Sequence, residues 1–149
     1  MPVLSDRTKT FTDSVIRKMT RISNEYGAVN LSQGMPDFAP PKAITDRLKE
    51  VASEDFHQYS ITWGAKNLRE AIIRKHKRFS GLDLDPEKNI VITCGSTEAM
   101  MASMMSVCNP GDKVIVFSPF YENYGADAIL SGAIPIYVPL VPPTFDFDR

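Results

Sequence analysis

The chain has 149 residues, the usual size of one domain, and 43% hydrophobic with 23% charged residues describes an ordinary globular protein able to bury a core. A formal net charge of -1, with one dense basic cluster at Arg74 to Arg78, leaves no surface-wide field for nucleic acid or anionic lipid and points to small neutral partners. The first residues carry no apolar leader core, and the most apolar later stretch, "AIPIYVPLVPP", is short and broken by prolines. Neither export nor a membrane span is therefore expected, and the reading is cytoplasmic.

In chain order, Val15, Ile16, Met19 and Ile22 recur at helical spacing and predict an amphipathic helix from Thr12 to Tyr26, ended by Gly27. "VNLSQG" reads as extended, and the prolines of "MPDFAPP" bar a helix. A second helix is expected from about Pro41 to Ser53, with Ile44, Leu48 and Val51 on one face. After the irregular "HQYSITWG", a third runs from about Ala65 to Phe79, turns Leu68, Ala71 and Ile72 inward and stops at Gly81. Beyond Pro86 the rhythm alternates. "NIVIT" suits a buried strand, and "STEAMMASMMSV", apolar nearly all round, suits a buried helix whose Met100, Met101, Met104 and Met105 are adaptable core. Asn109-Pro110-Gly111-Asp112 is a tight turn before the strand "KVIVFS". "FYENYGADAILSG" is a helix candidate and "IPIYVPL" a third strand. Strands alternating with helices over short links imply a parallel α/β sheet. Three such strands under three or four helices leave an edge uncovered, so the chain is expected to be cut short.

The residues between "NIVIT" and the following helix carry the chemistry. Gly95, Ser96 and Thr97 stand where a helix begins after a strand, a place where unsatisfied N–H groups and the helix dipole favour an anion such as phosphate. On spacing alone Ser96 or Thr97 can equally be a simple N-cap, with Glu98 complementing the dipole. The chain has no G-x-G-x-x-G and no G-x-x-x-x-G-K-[ST], which removes the dinucleotide fingerprint and the nucleotide-phosphate loop. Cys94 and Cys108 are too few for a metal pattern and are expected to be free, buried thiols. His57 and His76 have no partner pattern and receive no catalytic role, Trp63 reads as packing, and Arg74 to Arg78 as a solvated helix face.

Four segments, "LSQGMPDF", "QYSITWGAKNLREAI", "ITCGSTEAM" and "NPGDKVIVFSPFYENY", follow one another in an order and spacing that resembles the amino-terminal part of class I/II aminotransferases. These are pyridoxal 5'-phosphate (PLP) enzymes of fold type I, and the likeness spans about residues 12 to 145. The resemblance implies an incomplete α/β fold. Residues 1–41 would contribute to the small domain, and residues 42–149 would form the first strands and helices of the large PLP-binding domain. It implies that Gly95, Ser96 and Thr97 hold the cofactor phosphate and that Tyr121 stacks on the pyridine ring. Tyr59 would reach the phosphate of the other subunit of a homodimer, and Gly34 would belong to the segment closing over the substrate carboxylate.

The reaction so implied moves an amino group from an L-amino acid to a 2-oxo acid. The family's Schiff-base lysine, the acid at the ring nitrogen and the arginine for the substrate carboxylate lie beyond the matched region. No catalytic residue is assigned, and the 149-residue chain is expected to be inactive alone. The alternatives are another fold type I reaction, such as β-elimination by a C–S lyase, or a non-catalytic module that binds a phosphorylated ligand. A protein-interaction domain has only a possible dimer surface in its favour.

Overall fold

The computed structural model describes residues 3–10, 13–55 and 58–147. Thr12, the expected helix start, and His57 lie outside them. The chain forms two compact units, one of Met1–Ser32 with Cys94–Arg149 and one of Gln33–Thr93.

The first unit opens with a short 3-10 turn, Asp6–Lys9, which its sequence did not announce. Helix α1, Val15–Glu25, starts at Ser14, whose hydroxyl oxygen accepts from the Arg17 N–H at 3.2 Å. Gly27 follows its end at φ 60°, as the expected stop requires. Helix α4, Gly95–Val107, leads through the Asn109–Asp112 turn into strand β1, Lys113–Ser118. Helix α5, Asn123–Leu130, then crosses to strand β2, Ile134–Pro139, and the two strands pair in parallel from Lys113↔Ile134 to Ser118↔Pro139. Ile134 and Leu140 donate to Asp112 and Ser118 at 2.8 Å each. Residues of that parity face β1, so Pro135 and Pro139, which have no N–H, fall on the far edge, where their missing donors deny a further strand part of its ladder. Among the described residues of this unit, Val116, Ala128 and Ala133 are the buried apolar ones, in the α5–sheet layer.

Two expectations fail in this unit. Helix α4 has no buried residue: Met100, Met101 and Met104 are half-buried, while Met105 and Val107 are exposed. Its partner within the unit is α5, which covers one side of a helix that is apolar nearly all round. The cysteines are free, but Cys94 is exposed and Cys108 only partly covered, because both stand at the ends of that same helix.

The second unit holds α2, Lys42–Ala52, and α3, Lys66–Ser80, the latter closed by Gly81 at φ 75° with its N–H on the Lys77 carbonyl at 3.0 Å. The inward face of α3 differs from the expected one. Arg69 and Ile73, one turn apart, are buried, Ile72 is half-buried, and Leu68 and Ala71 are exposed. Polar bonding sets this rotation: Arg69 Nε donates to the Gly64 carbonyl at 3.0 Å, and Nη1 donates to the Pro86 carbonyl and lies 3.2 Å from Glu87. Residues 90–93 form no strand, in contrast to the one expected there. A strand exists through its ladder, and among the described residues this segment has none, although the Ile92 N–H donates to the Trp63 carbonyl at 2.9 Å. Ile92 also packs against Gly64, where a Cβ would come within 2.4 Å of its side chain, so glycine is required for contact as well as for φ 96°. Trp63 is half-exposed and serves this packing through its backbone. Among the described residues the sheet therefore has two strands rather than three, in a mixed α/β chain.

Candidate functional site

The start of α4 is built by its own side chains. Gly95 takes φ 85°, a left-handed value that side chains rarely adopt, and a Cβ there would meet no atom within 4 Å. Glycine is needed for the turn itself, and the space beside it is open. The Glu98 carboxylate, four residues on, reaches back to accept from the N–H of the N-cap residue Cys94. The next amides, on Ser96 and Thr97, are among the four that a helix cannot satisfy internally. Both hydroxyls stand beside them.

Ser96, Thr97 and Tyr121 come together around one cavity of about 90 Å³, lined also by Met100, Asn123 and Tyr124. Tyr121 is half-exposed, and Tyr124 meets it edge to face, with centroids 5.9 Å apart at 72°, which steadies the tilt of its open face. Asn123 joins the two halves of the cavity, donating from Nδ2 to Thr97 Oγ1 at 2.8 Å. A second cleft, of about 440 Å³, shares Met100, Tyr121 and Tyr124 and is otherwise apolar. The arrangement is polar and donor-rich at one end, flat and apolar beside it. Among the described residues no lysine or arginine lines the polar end, so attraction for an anion comes from hydroxyls, amides and the helix dipole.

A longer tether fixes the turn that carries Tyr121. The half-buried Glu122 carboxylate accepts from the Ser14 hydroxyl and from the Val15 N–H at 3.1 Å, so it caps α1 from the opposite end of the unit's sequence. Asn123 and Glu122 were not singled out by sequence reasoning. Both belong to "SPFYENY", and the available signal was the polar pair set between three aromatic residues.

The remaining candidates, Tyr59 and Gly34, belong to the other unit. Tyr59 is fully exposed, and Gly34 lies in an exposed irregular stretch with no atom within 4 Å of where a Cβ would be.

A planar aromatic ring bearing a dianionic phosphate matches these features. The hydroxyls of Ser96 and Thr97 could hold its phosphate and the Tyr121 face could cover its ring, with no atom within 4 Å of where a Gly95 Cβ would stand. Comparison with known proteins leads to the same kind of molecule. The family model for aminotransferase class I and II matches residues 26–148. The chain is 36% identical to the methionine aminotransferase of Escherichia coli over 135 residues, which is 91% of this chain and 35% of that protein. It is 34% identical to the probable N-succinyldiaminopimelate aminotransferase DapC of Mycobacterium tuberculosis, over 91% of this chain and 34% of that one. The crystal structure of YbdL from Escherichia coli, described as having a methionine aminotransferase function, superposes with a TM-score of 0.89 at 33% identity, covering 99% of this chain and 39% of that one. The chain thus spans about a third of the length of the curated relatives it matches.

Proposed function

The chain belongs to the class I and II aminotransferases, PLP-dependent proteins of fold type I, and from that premise we propose that it supplies the phosphate end of the PLP site in an enzyme moving an amino group from an L-amino acid to a 2-oxo acid. The observation that carries this reading is the convergence of Ser96, Thr97 and Tyr121 on one small cavity at the start of α4. Bound there, PLP supplies the electron sink that makes the α-carbon of an amino acid acidic. Gly95 shapes the turn, Ser96 and Thr97 donate to the phosphate oxygens, and Tyr121 covers one face of the ring. Gly34 belongs, in this reading, to the segment over the substrate carboxylate.

Tyr59 is proposed to reach a second copy's phosphate in a homodimer, which is supported by a large aromatic side chain left wholly in solvent. Residues 1–41 are assigned to the small domain and residues 42–149 to the first part of the large domain. A cytoplasmic location accords with the described residues, in which no helix is long and apolar enough to cross a membrane. Since no lysine lines the cavity among the described residues, the 149-residue chain by itself is expected to bind PLP weakly and to turn nothing over.

The test is cofactor retention. Ser96→Ala and Thr97→Ala in the full-length gene product should each weaken PLP binding, since a hydrogen bond to a charged group contributes about 1.5 to 3 kcal/mol. Equilibrium dialysis against PLP measures it, and unchanged affinity in both variants sinks the assignment.

A further inference from the structure

We infer that Asn123 is a positioning residue that turns the Thr97 hydroxyl proton toward the phosphate, an inference that rests on the site reading above. A threonine hydroxyl offers one proton and two lone pairs. The Asn123 amide donates to Thr97 Oγ1 at 2.8 Å and so occupies a lone pair, leaving the proton to be placed elsewhere. Two serines on the same helix show what hydroxyls do otherwise. Ser103 and Ser106 fold back onto the Ala99 and Ala102 carbonyls, at 2.8 and 2.7 Å, and their protons stay on the helix. Thr97 makes no such bond among the described residues; it stands in the first turn, and its side chain lines the cavity with Asn123, Ser96 and Tyr121.

The consequence for an anion is direct. Phosphate oxygens accept hydrogen bonds, so a hydroxyl presenting a lone pair would repel what a hydroxyl presenting its proton holds. Left alone, the Thr97 rotor samples both. With the Asn123 N–H against Oγ1, the orientation that donates into the cavity is selected before the ligand arrives. Asn123 need not touch the phosphate to act on it.

The experiment measures dissociation constants for PLP and for pyridoxal, which lacks the phosphate, in the apo form of the full-length gene product. Wild type, Thr97→Ala, Asn123→Ala and the double variant are compared. Asn123→Ala should weaken PLP about three- to tenfold, leave pyridoxal unchanged, and add nothing once Thr97 is alanine. A loss that persists at full size in the Thr97→Ala background, or one of equal size for pyridoxal, overturns the inference. Asn123→Asp keeps the shape but puts acceptors at both positions; it should draw the proton to itself and weaken PLP more than alanine does, and a milder effect than alanine also overturns it. Were Thr97→Ala alone to leave PLP affinity untouched, the inference would fall with the Thr97 contact, and were Ser96→Ala to leave it untouched as well, the phosphate assignment itself would fail, a result separable from each of the others.

Discussion

Asp127 shows how one misplaced charge can be felt by the whole chain. It lies on α5 with 4% of its surface exposed, and its Oδ2 has no hydrogen-bond partner among the described residues. Burial raises its pKa above the ordinary carboxylate value, because the charged form loses more solvation than the neutral one. The unfolded chain therefore releases this proton first as pH rises. The stabilisation it contributes is present below the ordinary carboxylate pKa and is lost as pH climbs through the raised folded value. Asp127→Asn should remove that slope, and Asp127→Ala should add about 1 to 3 kcal/mol near neutrality by deleting an unsatisfied buried acceptor. Urea midpoints between pH 4 and pH 8 measure both, and a wild-type curve flat over that range would count against the account. Nothing in the sequence marks Asp127, since an acid between two alanines on a short helix reads as surface. The helix start at Gly95 was legible for the opposite reason, since a glycine and two hydroxyl residues after a β-branched run mark it locally, whereas Tyr121 was singled out only through the family resemblance.

At the scale of elements, α3 owes its rotation to one arginine. Arg69 is fully buried, and its guanidinium holds the carbonyls of Gly64, just before the helix, and Pro86, beyond it. Those carbonyls would be orphaned by Arg69→Ala, which should cost about 2 to 4 kcal/mol. The half-exposed Glu87 contributes the smaller part because water screens it. Arg69→Lys keeps the charge but cannot reach both carbonyls with one nitrogen, so it should recover less than half of the loss in denaturant unfolding. Full recovery by lysine would mean that charge, and not the fork, matters. Helical periodicity identified α3 and its glycine stop but turned the wrong residues inward, because a hydrophobic pattern cannot represent a buried cation whose Nε and Nη1 bond backbone carbonyls. The segment 90–93 failed for a related reason: β-branched residues state that a stretch can be a strand, while the ladder depends on what lies beside it.

For the molecule as a whole, apolar surface is the dominant feature. Leu31, Val29, Met105, Val107 and Phe79 are all exposed, and α4 hides no residue completely. The 149-residue chain should therefore bind the dye ANS and self-associate at micromolar concentration. Light scattering coupled to gel filtration decides it, since a monodisperse monomer with a sharp two-state melt contradicts the expectation. The α/β class and the helix, turn and strand order from Lys113 to Pro139 were readable because each step there is local. The number of strands and the burial of α4 were not, since both depend on surfaces that sequence period does not count. The cap that Glu122 places on α1 has a consequence in time. Its two ends are 108 residues apart, and at ribosomal speeds of about 5 to 20 residues per second, roughly 5 to 20 s separate the synthesis of Ser14 from that of its partner. Through that interval the nascent α1 lacks the Glu122 cap, so a helix made early is fastened late.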